Sequence, residues 1–231
     1  VNVAGTLTKS GATSSVIWSQ MGVGTLDVSA GALTLMGQLS SSANTSVSKV
    51  QVAAGATLSL QQAFLKSNSI TNDGVLNVGT TSRSAGIIGT GTTPGLANHA
   101  GAQLTVNGDG STTNFRSIAL SNAIGGTIDF AKAAAISDAS ATIANAGTIN
   151  ARDASGATLN GTLTSTPGSV LNVDSGARLI LAGTGNTLGL AKVTGALVAN
   201  GDVTANRIEL TGGWLETVAG VSTGSMLWNA G

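Results

Sequence analysis

Gly55-Ala56-Thr57-Leu58-Ser59-Leu60, Gly74-Val75-Leu76-Asn77-Val78 and Gly101-Ala102-Gln103-Leu104-Thr105-Val106 are the stretches that decide the fold. Each opens on a turn glycine and then alternates apolar with polar side chains, the pattern of a strand with one buried face. The same phrase returns in Gly24-Thr25-Leu26-Asp27-Val28, Gly126-Thr127-Ile128-Asp129-Phe130, Gly147-Thr148-Ile149-Asn150 and Gly168-Ser169-Val170-Leu171-Asn172-Val173. A strand this short cannot bury its apolar side alone, whereas a stack of them shares one continuous core. Recurrence without helical interruption predicts an all-β chain, a β-solenoid wound in rungs as a single domain over residues 1–231.

One glycine per rung, at positions 5, 24, 55, 74, 101, 126, 147, 168, 195 and 213, gives a mean spacing of about 23 residues, with gaps from 18 to 31. The uneven gaps predict loops inserted at corners, and Gly31, Gly156 and Gly176 open further strand-like runs, so each rung should hold two or three short strands. About 10–11 rungs, each roughly 4.8 Å from the next, would make a rod of around 50 Å. Alternation points Leu26 and Val28, Leu58 and Leu60, Leu76 and Val78, Leu104 and Val106, Ile128 and Phe130, and Leu171 and Val173 inward. The residues between them, Asp27, Ser59, Asn77, Thr105, Asp129 and Asn172, are expected to face solvent. Asparagine precedes glycine in Asn72-Asp73-Gly74, Asn145-Ala146-Gly147 and Asn200-Gly201, and Asn122 stands before Gly125 and Gly126. Both residue types suit tight corners, and asparagines stacked in successive rungs can join into side-chain amide ladders.

The run Ala141-Thr142-Ile143-Ala144-Asn145-Ala146-Gly147-Thr148-Ile149-Asn150-Ala151 resembles the repeats of filamentous-haemagglutinin-type secreted adhesins and autotransporter passenger domains. Looser versions are Ser69–Val78 and Val52–Leu60, and the likeness fails near 80–98, 107–118 and 180–192. The resemblance implies a right-handed parallel β-helix on a bacterial protein exported to the cell surface or released. Its motifs consist of core and corner residues, so it speaks to architecture and little to chemistry.

Charged residues are only 9% of the chain, against about a quarter in ordinary globular proteins. Disorder does not explain this, since 33 glycines and 2 prolines amount to about 15% of 231 residues, below the low-complexity range. No apolar run is long enough for a membrane-spanning helix, and no leader opens the chain, so membrane insertion is not expected and any export signal lies outside it. The net charge is zero and the ten basic residues are dispersed, which argues against a nucleic-acid partner. Lys49, Lys66 and Arg83 recur every 17 residues, yet like charges on adjacent strands repel, so they are read as solvated loop residues. The chain has no cysteine, which removes disulfides, thiolate metal sites and a cysteine nucleophile.

Parallel β-helices include polysaccharide lyases and glycosidases, and glycoside cleavage needs two facing carboxylates. The ten acidic residues are spread along the chain, and the densest group, Asp202, Glu209 and Glu216, is read as solvated edge residues. The only histidine, His99, is read as a loop residue, because it has no second histidine or cysteine for a metal or nucleophile pair. Asn107-Gly108-Asp109-Gly110 resembles a calcium-binding nonapeptide repeat but occurs once, without the tandem copies such sites need. The runs Gly89–Gly95 and Gly183–Gly189 have neither dinucleotide nor phosphate-loop spacing. A flat threonine array for ice is not expected, since the outward residues mix Asp, Thr, Ser, Asn and Glu. No catalytic, metal or cofactor-binding residue is therefore assigned.

These readings lead to a non-catalytic extracellular rod presenting loops to a host or neighbouring-cell surface, a matrix protein or a glycan. The stretches 36–48, 80–100 and 107–118 are the expected recognition loops. A self-assembling subunit of a filament, sheath or surface layer is the alternative, through uncapped ends beginning at Val1-Asn2-Val3, with Trp214 and Trp228 covering the last rung. A carbohydrate-active enzyme, with Glu209 and Glu216 as its acids, is the third.

Overall fold

A computed structural model of the chain describes residues 2–19, 21–37, 44–80, 85–108, 114–136 and 142–229. These residues form strands, turns and bends with no helix, and every strand pairing is parallel. The chain is a parallel β-solenoid of about ten turns, as the repeated strand phrase predicts. Its rows, numbered from the amino terminus, are 2–17, 22–36, 44–61, 64–78, 86–107, 115–132, 134–151, 157–173, 178–193, 196–211 and 214–229.

Each row passes through three stacks in order. In row 4 these are 64–67 in stack 1, 69–72 in stack 2 and Val75–Val78 in stack 3. The bend moves along the rod. Rows 1–4 cross stacks 1 and 2 in one long strand, such as Asn44–Val52 or Phe64–Asn72. Rows 5–8 use three short strands, as in Thr142–Asn145, Thr148–Ala151 and Ala134–Ile136 of row 7. Rows 9–11 cross stacks 2 and 3 in one strand: Asn186–Val193, Val203–Thr211 and Val221–Asn229. The marker glycines drift accordingly: 5 and 24 lie in the stack 1–2 strands, 55 to 168 at the stack 2–3 corner, and 195 and 213 between one row's stack 3 and the next row's stack 1.

The core follows from register. Leu33, Leu58, Leu76, Leu104, Ile128, Ile149 and Leu171 form one column in stack 3, and Leu26, Val50, Ile70, Leu96, Leu120, Ile143 and Leu163 form one in stack 2, all buried. Every inward residue expected from alternation is buried. Size is balanced between neighbours: Phe130 sits between Val106 and Ala151, so the largest side chain of its column meets a small one below.

Corners are set by close backbone approach. At Gly147 an added Cβ would lie 2.3 Å from the Gly126 carbonyl oxygen and 2.4 Å from that of Ala123, so only glycine lets these rows stack. Gly101 is glycine for the other reason, a φ of +77° in open space.

Several expectations need correction. The stretches 80–100 and 107–118, expected as recognition loops, hold strands Gly86–Gly89, Gly95–Asn98 and Phe115–Arg116 in register with their neighbours. Lys49 and Lys66 are on strands of different stacks rather than in loops, so they form no stripe; Arg83 lies outside the described residues. Trp214 and Trp228 are 61% and 70% exposed, so neither covers the last row.

Candidate binding surface

The stack 2–3 corner is built on a buried amide ladder. Asn72, Asn98, Asn122 and Asn145 occupy one inward register position in rows 4–7. Asn72 Nδ2 donates to Asn98 Oδ1 at 2.7 Å, Asn98 Nδ2 to Asn122 Oδ1 at 2.8 Å, and Asn122 Nδ2 to Asn145 Oδ1 at 2.8 Å. The same Nδ2 groups also reach the backbone carbonyls of Gln103, Thr127 and Thr148 at 3.0–3.1 Å, tying each corner to the next row's stack 3. The predicted ladder thus forms from Asn72, Asn122 and Asn145, with Asn98 added; Asn200 is not in it. Asn98 carries the same signal in Asn98-His99-Ala100-Gly101, with the glycine three residues on. The ladder stops where the register position holds Val52 on one side and Ser165 on the other. Its end groups, Asn72 Oδ1 and Asn145 Nδ2, are buried without a hydrogen-bond partner. Ser165→Asn should give Asn145 Nδ2 an acceptor and raise stability by about 1 kcal/mol in urea unfolding. A lower midpoint would mean the site cannot hold the larger side chain.

The outward column of stack 2 runs Asp27, Gln51, Thr71, Ala97, Ser121, Ala144, Thr164, Thr187, Thr204 and Ser222, uncharged beyond Asp27. The stack 3 column holds a charged cluster. There Asp129 Oδ1 accepts from Asn150 Nδ2 at 2.5 Å and from Arg152 Nη2 at 3.0 Å, while Gln103 Nε2 donates to Oδ2 at 3.1 Å. Arg152 Nη1 also reaches Asp174 Oδ2 at 3.2 Å. Asp129 is therefore buried, with 7% exposure, rather than solvated as alternation predicts. It points outward, but Gln103, Asn150 and Arg152 close over it.

The remaining charged candidates do not converge. Asp202 is at the turn before stack 2, accepting from Gly220 N at 3.1 Å. Glu209 stands on stack 3 paired with Arg207 at 2.8 Å, and Glu216 on stack 1. His99 Nδ1 lies 2.7 Å from Asp73 Oδ1 across one row, a partner the loop reading did not foresee. Among the described residues no group of three His, Cys, Asp or Glu could hold a metal ion. Asp109 and Gly110 of the nonapeptide-like run lie outside the described residues.

The long connections flank stack 1. Strands of stack 3 end at Met36, Val78 and Asn107 before the next strand of stack 1, and 90–94 leads from stack 1 to stack 2; residues 38–43, 81–84, 109–113 and 137–141 lie outside the described residues. Thus the expected recognition loops 36–48, 80–100 and 107–118 contain strand residues, and their parts 38–43, 81–84 and 109–113 lie outside the described residues. The 90–94 connection, Thr90-Gly91-Thr92-Thr93-Pro94, forms one wall of an open groove of about 510 Å³. Ser117, Ile118 and Ala119 of row 6 and Thr142 of row 7 continue its lining. Thr92 and Thr93 are exposed, and Pro94 packs toward Gly89, where an added Cβ would come within 2.6 Å of the ring. The groove joins hydroxyls with small apolar surfaces and, among the described residues, has no charged side chain in its lining. No protein-family model matches the chain, and neither a characterised protein nor a solved structure matches it.

Proposed function

We propose that this chain is a non-catalytic rod of an extracellular bacterial surface protein, an adhesin of passenger type, which holds an attachment groove at its stack 1–2 corner. The groove beside 90–94 is the observation that carries the reading. A regular solenoid row needs no such insertion, and this one adds five residues without adding to the core. Uncharged hydroxyls beside Pro94 and Ala119 suit a neutral glycan, which offers hydroxyls on its edges and C–H groups on its ring faces. The likeness of the corner repeats to secreted adhesins supports the location at a cell surface. The acidic side chains of the described residues support a non-catalytic role, being engaged with Arg152, Arg207 and His99 or set on different faces.

The test is binding of the labelled chain to a panel of neutral glycans, matrix proteins and whole cells, up to about 1 mM, where an interaction of roughly 4 kcal/mol still registers. Saturable binding to a glycan or matrix component is expected. Failure across the panel, or sugar release from a polysaccharide, would overturn the reading.

A further inference from the structure

The rows on either side of the boundary between rows 8 and 9 have different shapes. Row 8 turns from stack 2 to stack 3 through four residues, 166–169, and row 9 makes the same turn with Gly189 alone. Gly189 lies against that corner, where an added Cβ would meet the Thr166 carbonyl oxygen at 2.4 Å. Corners that differ by two residues, such as 73–74 and 99–102, still leave both flanking strands in register, but here the difference is three and row 9 has no loop to absorb it. The shortfall falls on stack 2, where rows 8 and 9 pair only through Thr164 and Thr187.

Side chains fill the gap left in the backbone ladder. Leu163 N donates to Asn186 Oδ1 at 2.9 Å, and Ser165 N to Thr187 Oγ1 at 3.0 Å. Asn186 is itself buried and held by donating to the Gly183 carbonyl at 2.6 Å. The amide ladder has already ended one row earlier, at Asn145. Elsewhere a change of shape costs no pairing: between rows 4 and 5, strands 64–67 and 69–72 keep full register with Gly86–Gly89 and Gly95–Asn98 while 90–94 loops out. Between rows 6 and 7, stack 1 is thin, with only Phe115 opposite Ile136. That boundary is bridged by the Asn122–Asn145 bond and by Asn114, whose Oδ1 accepts from Ala135 N at 3.1 Å.

In a solenoid each row touches only its neighbours, so stability is a sum of row and interface terms and the weakest interface divides the cooperative units. We infer that rows 9–11, residues 178–229, form a separate cooperative unit that detaches from the rod along the stack 2 seam at Leu163–Ser165. This yield point does not depend on the proposed attachment role.

Residue-resolved amide hydrogen exchange tests it. The expected profile is a step: strand amides of rows 9–11 share one protection level, about tenfold or more below that of rows 4–8. Thr187→Val removes the acceptor of Ser165 N with little change of shape. It should lower protection of rows 9–11 by about a further tenfold and leave rows 4–7 within about twofold. Equal protection across the boundary, or a smooth decline toward residue 229 as in simple end fraying, would overturn the inference. So would a Thr187→Val variant that loosens rows 4–7 as much as rows 9–11. The wild-type profile decides the matter even if the variant fails to fold.

Discussion

Leu104→Asp is expected to leave the chain unfolded at neutral pH. Leu104 has no exposed surface, and its register neighbours Leu76 and Ile128 have none either. Losing the leucine side chain alone costs about 2–5 kcal/mol in a packed core. An unpaired carboxylate there adds several kcal/mol, because no donor lines this column and burial disfavours its charged form. Together these terms reach the roughly 5–15 kcal/mol that holds an ordinary domain folded. The introduced carboxyl would have a raised pKa in any folded state, so stability is best below about pH 4 and is lost as pH rises. Far-ultraviolet circular dichroism at pH 7 and pH 4 checks both statements, with Leu104→Ala as a folded but weaker control. A cooperative transition near the wild-type midpoint at pH 7 would show that Leu104 does not face the core.

The second large effect is expected from Asn122→Ala. Asn122 is the middle of the amide ladder, accepting from Asn98 and donating to Asn145 Oδ1 and to the Thr148 and Gly126 carbonyls at 2.8–3.2 Å. Alanine leaves Asn145 Oδ1 without this donor, weakens the bond to row 7 and opens a small cavity. Buried groups left unsatisfied cost about 1–3 kcal/mol each, so a loss of about 3–4 kcal/mol in urea unfolding is expected. Asn172→Ala is the fitting comparison. Asn172 also donates to an asparagine, Asn150 Oδ1 at 2.7 Å, but it is only half-buried, and less than about 1 kcal/mol should be lost. Equal losses would mean that the inner ladder contributes no more than a surface bond.

The contrast between these asparagines shows what was legible in the sequence. Alternation placed Leu58, Leu104 and Ile128 inward correctly because a strand's side chains have a strict period of two. It misjudged Asp129, because facing outward is a property of one strand and burial depends on neighbouring rows. Gln103 and Arg152, 26 and 23 residues away along the chain, do the covering. The strands Gly86–Gly89 and Phe115–Arg116 were hidden for a related reason. They are too short to show alternation, and their pairing partners Phe64–Asn72 and Ala134–Ile136, rather than their own sequence, hold them extended. Treating every marker glycine as equivalent likewise obscured the three-stack pattern, since the glycines serve three different corners.

The groove was only half legible. The sequence marks 80–100 as irregular, and 90–94 is one connection within it, yet nothing in Thr92, Thr93 or Pro94 distinguishes a ligand wall from a spacer. What sets them apart is the company of Ser117, Ala119 and Thr142, from the next two rows. Such a site has no motif because its members are neighbours through stacking and not through sequence.

The most direct test of the attachment reading compares three proteins against the ligand that the wild-type chain captures: wild type, the double variant Thr92→Ala with Thr93→Ala, and Ile124→Ser. Ile124 is 78% exposed at the opposite corner of stack 2 and serves as the control. Loss of two hydroxyl contacts should weaken binding by about tenfold or more, while Ile124→Ser binds as wild type does. Unchanged affinity in the threonine variant, measured by titration calorimetry on folded protein, would contradict the groove as the seat of attachment.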